Sequence, residues 1–155
     1  MGERKRRHPE RVDLLGLVSF GFFLILIGIL WIGTPNLTNE IIAFFKDFQL
    51  VHLTEHIILP APAQVHSHSV VYTTALQFCL TFGVFQMVIL VLRFVFRDSL
   101  RRKAETFSGV TFWFTISFFL QMLINEAIGW LGFIGGFVVS LGVAISAGSI
   151  LRLLG

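Results

Sequence analysis

Residues 14–33 read LLGLVSFGFFLILIGILWIG, twenty positions without a charge. At about 1.5 Å of rise per residue, a helix of that length crosses a hydrocarbon core of about 30 Å. A basic stretch precedes it, residues 1–13 (MGERKRRHPERVD), as in a secretory signal. The apolar run exceeds the about 7–15 residues of such signals, and no small-x-small cleavage site follows. It reads as an uncleaved first span.

Outward from this run, three more apolar stretches follow at about 70–92, 107–124 and 129–151. Apolar residues make up 55% of the 155 positions and charged residues only 14%. A soluble domain carries about 45–50% and about 25%. The balance excludes a disordered chain and a water-soluble nucleic-acid binder. Long uniform runs also exclude a barrel, which needs many alternating segments of about ten residues. The expected fold is an all-α integral membrane protein with four transmembrane helices. It comprises a basic arm, 1–13, and one membrane domain, 14–155.

Basic residues set the orientation. Arg4, Lys5, Arg6, Arg7 and Arg11 lie in the arm, Arg93, Arg97, Arg101, Arg102 and Lys103 around the second linker, and Arg152 near the end. Only Lys46 falls on the other side. The positive-inside rule makes the crowded side cytoplasmic, with both termini there.

The outer segment, 34–69, is too long for a plain hairpin and should carry structure of its own. Thr38 can cap an amphipathic helix over about 38–57, with Ile41, Phe44, Phe45 and Phe48 at helical spacing. Such a helix lies in the interface plane or packs on the ends of the spans. Pro60 and Pro62 then stop it.

Three patterns could carry function. His52, Glu55 and His56 match H-x-x-E-H, which on a helix sets two histidines on one face for a divalent metal; His66 and His68 follow. The bland reading is interfacial histidines with their polar tips in water. Second, Thr73, Gln77 and Thr81 form a stripe in one span, and Ser117, Gln121 and Asn125 form another in the next. Antiparallel packing would pair Thr73 with Asn125, Gln77 with Gln121 and Thr81 with Ser117, either joining the helices or lining a hydrated vestibule. Third, Gly132, Gly136, Ser140, Ala144 and Gly148 recur every four residues, a smooth row for close helix approach.

No Asp, Glu, Lys or Arg lies in the central half of any span, where ion carriers and proton relays keep one. No catalytic constellation is evident, and no cofactor is required. The expected function is therefore packing and assembly within the lipid bilayer, as a homo-oligomer or an accessory subunit of a membrane complex, without nucleic acid. The alternative is a small-solute or metal transporter, or a metal-dependent membrane enzyme, built on the polar stripes and the histidines.

Overall fold

A computed structural model describes residues 13–54 and 57–153, giving the backbone alone at 51–54, 57, 58 and 66. Among the described residues, four helices are long and apolar enough to cross a membrane: α1 (Leu14–Gly33), α3 (Ser69–Val95), α4 (Leu100–Ile124) and α5 (Trp130–Leu153). Between α1 and α3 lie α2 (Leu37–Lys46) and two antiparallel strands, β1 (Phe48–Thr54) and β2 (Ile57–Pro62). The all-helical membrane class stands, with this small sheet added to it.

The helix expected over 38–57 ends instead at Lys46, and β1 takes over at Phe48. Apolar residues at 44, 45 and 48 do not distinguish a continuing helix from a turn into a strand. The partner strand decides: Phe48 pairs with Pro62, Leu50 with Pro60 and Val51 with Leu59. Asp47 closes the base of the hairpin, accepting from the Ala63 amide on its carbonyl and from the Gln64 amide on its carboxylate. Nor does Thr38 cap α2. Asn36 holds that place in a left-handed conformation (φ 57°), which its short polar side chain tolerates.

The long helices pack in the order α1, α3, α4, α5. Phenylalanine joins the first pair: Phe22 stacks on Phe85 with ring centroids 3.8 Å apart, and Phe23 meets Phe78 and Phe82 edge-on. Between α3 and α4, Gly83 lets the backbone approach the Trp113 Cβ, while Cys79 packs with Ile116 and Leu120. Between α4 and α5 the fit is closest. A Cβ on Gly136 would run into the Phe119 ring, and one on Gly148 would stand 3.0 Å from the Ser108 Cβ. Ser108 Oγ donates to the Ala144 carbonyl at 2.7 Å across this seam.

Candidate functional site

Two polar clusters occupy opposite ends of the helices. At the hairpin end, His68 Nε2 lies 3.0 Å from Asp47 Oδ2. An ionised carboxylate only accepts, so the ring proton sits on Nε2. His68 is 6% exposed and is roofed by Phe44, whose ring also meets Phe48, Tyr72 and Trp130 edge-on. The Gln64 amide and then the His68 ring hold the Asp47 carboxyl below its ordinary value. Trp130 Nε1 donates to the Pro60 carbonyl at 3.3 Å, tying α5 to β2. Beneath lies an apolar cavity of about 400 Å³ among Tyr72, Cys79, Phe112, Ile116, Leu120 and Phe133. The Tyr72 hydroxyl is buried without a hydrogen-bond partner among the described residues.

At the other end, Arg93 is 5% exposed and holds two carboxylates. Its Nη2 donates to Asp13 Oδ2 at 2.8 Å and its Nη1 to Asp98 Oδ2 at 2.7 Å. Asp13 also caps α1 by accepting from the Gly16 amide. One guanidinium thus fastens the start of α1 to the end of α3 and the linker beyond it. Burial alone would raise the Asp13 carboxyl, but the Arg93 and Gly16 hydrogen bonds outweigh it and hold it below its ordinary value. Arg102 reaches Asp98 at 3.4 Å, and Glu105 receives Arg101 at 3.0 Å and Arg152 at 3.5 Å. The start of α1, the end of α3, the start of α4 and the end of α5 therefore share one end of the fold.

The sequence patterns fare differently. His52 lies in β1, not on a helix, so the helical spacing assumed for His52 and His56 is absent there. Glu55 and His56, and the side chains of His52 and His66, lie outside the described residues. Among the described residues, no three His, Cys, Asp or Glu side chains gather as a metal set would. The polar stripes do not meet. Thr73, Gln77 and Thr81 face outward from α3, Ser117 turns inward and donates to the Trp113 carbonyl, and Gln121 donates to Asn125 at 3.0 Å along α4 itself. The α3–α4 contact instead uses the neighbouring apolar face. Of the small row, Gly136, Ser140, Ala144 and Gly148 are buried and Gly132 is exposed.

Two features were missed in the sequence. Arg93 counted in the sequence only as one of the basic residues around the second linker, whereas it is buried between Asp13 and Asp98. Its signal was two acids, one at each neighbouring helix boundary. The Asp47–His68 pair is separated by 21 residues and became visible only once the hairpin folded back.

The fold thus has four helices of membrane-spanning character, an ionic clamp at one end and a hairpin docked on aromatic rings at the other. Comparison with protein-family models, curated proteins and solved structures finds no match to this chain.

Proposed function

We propose that this protein is a multi-pass membrane protein that acts by assembly, as a packed helical unit beside another membrane-embedded chain or a second copy of itself. The observation that carries this reading is the interior. The buried polar side chains of the described long helices are Ser19, Tyr72, Arg93, Thr106, Ser117 and Ser140, with the Cys79 thiol, and the only Asp, Glu, Lys, Arg or His among them is Arg93, at an end. Thr106, Ser117 and Ser140 donate to carbonyls of their own helices. A carrier of ions or protons would need an Asp, Glu, Lys, Arg or His at depth. The small face of α5 is occupied by α4, which leaves the other faces for association. α1 is the least covered span, with 6% of its apolar window buried.

In this reading the arginine end is cytoplasmic and the hairpin end is outside, with the exposed Phe45 of α2 at the lipid boundary. The test is twofold. Protein reconstituted in liposomes should pass no protons, monovalent cations or divalent metals above the protein-free rate. Protein extracted from its own membrane in mild detergent should migrate above its 17.5 kDa monomer, alone or with a second polypeptide. Flux that disappears on His68→Ala would overturn the assembly reading.

One observation favours a second reading, a solute site at the hairpin end. The Asp47–His68 pair stands beside an unpartnered Tyr72 hydroxyl and an apolar cavity. The same flux measurement separates the two.

A further inference from the structure

A pocket of about 680 Å³ opens between the start of α1 and the α3–α4 linker. It has two kinds of wall. Leu14, Leu15 and Phe96 supply an apolar side, and Leu14 and Phe96 are largely exposed, at 70% and 68%. Arg97 and Arg102 supply cations, with Asp13 and Asp98 beside them. Those acids would repel an anion if they stood alone. They do not, because Arg93 behind the wall binds both and Arg102 binds Asp98 again. Among the described residues, three guanidiniums thus face two carboxylates, a surplus of one positive charge. Arg97 carries it, exposed and in no ion pair with a described residue.

Position specifies the anion. The pocket sits where the apolar run of α1 begins and that of α3 ends, the level of lipid headgroups for helices that cross a bilayer. A free anion has no use for a wall of leucine and phenylalanine; a lipid has an acyl chain to lay there. Arginine forks match phosphate oxygens in geometry as well as charge. Basic pockets between membrane helices are also where anionic headgroups bind. We propose that this pocket binds the phosphate of an anionic phospholipid through Arg97 and Arg102, with the start of an acyl chain along Leu14, Leu15 and Phe96. The proposal rests on the membrane reading of the fold and is independent of the assembly reading.

The experiment is native mass spectrometry of the full chain released from detergent micelles. The probes are phosphatidylglycerol, phosphatidylcholine and inorganic phosphate, each supplied separately. Wild type should retain phosphatidylglycerol in preference to phosphatidylcholine and should not retain phosphate. Arg97→Gly and Arg97→Asn both suit the left-handed backbone at this position (φ 51°) and should keep the fold. Each should weaken phosphatidylglycerol binding about fivefold, the worth of one basic residue near an anionic headgroup. Arg101→Gln removes a charge that is 82% exposed and outside the pocket, and should bind as wild type does. Equal retention of the two lipids would overturn the proposal. So would an equal loss in Arg101→Gln, which would mean diffuse charge alone. Retention of inorganic phosphate comparable to that of phosphatidylglycerol would overturn the lipid assignment.

Discussion

Arg93 is a cation buried between two carboxylates from distant parts of the chain, so the cost of removing it falls on the groups left behind. Arg93→Met should destabilise the protein by about 3 kcal/mol, the lower part of the range for breaking a buried pair, since Asp13 is partly exposed. Adding Asp13→Asn and Asp98→Asn should recover most of that loss, because neutral amides need no counter-charge and Asn still caps α1. Unfolding in mild detergent measures both. Asp47 gives a pH dependence whose sign can be worked out. Its folded value lies below its ordinary one, so its contribution is complete above the ordinary carboxylate range and disappears as pH falls through the folded value. The hairpin should therefore loosen on acidification. Trp130 fluorescence on a Trp31→Phe, Trp113→Phe background reads this through the Trp130–Pro60 bond. Asp47→Asn should abolish the acid transition and leave docking uniformly weaker; a transition that persists in the variant would show that another group controls it.

At the scale of elements, α5 meets α4 through Gly136 and Gly148, while Gly135, adjacent to the first, has open space around it. Gly136→Ala should cost about 1–3 kcal/mol by overpacking against Phe119, whereas Gly135→Ala, with open space around it, should be neutral or favourable. Equal effects on thermal unfolding would mean that the Phe119 contact is not the cause. The polar stripes lead to a different expectation. Gln121 bonds Asn125 on its own helix and Gln77 faces outward, so Gln77→Leu and Gln121→Leu should each be mild and should add to within about 0.5 kcal/mol. Strong non-additivity would restore a direct link between the helices. The contrast shows what a sequence conveys at this scale. The four apolar runs and their order, and the small residues of α5, are one-dimensional patterns that the sequence displays, although α4 begins at Leu100, ahead of the expected 107. The rotation of α3 about its axis could not, because Gly83 and Cys79 mark a packing face as well as Gln77 marks a polar one. The hairpin was hidden for a related reason: β1 depends on β2, and no local period in 48–54 announces the partner.

For the whole molecule, the deciding quantity is the asymmetry of charge between the two ends. The four helices place the beginnings of α1 and α4 with the ends of α3 and α5 around the Arg93 and Glu105 clusters, and the hairpin lies at the opposite end. Geometry alone fixes which groups share an end and is silent about which side of the membrane that end faces. The proposed orientation takes its side from the sequence, where eleven of twelve basic residues fall with the arginine end, since translocating a short arginine-rich loop is disfavoured. The expected outcome is a one-sided labelling pattern. On a Cys79→Ala background, Asn39→Cys in α2 should react with a membrane-impermeant maleimide on intact cells. Arg101→Cys at the start of α4 should react only after permeabilisation. Both positions are exposed, so a missing reaction reports the membrane and not burial. The reverse pattern would keep the four helices and invert them, whereas reaction of both positions on intact cells would remove the single crossing, by α3, that separates them in this arrangement.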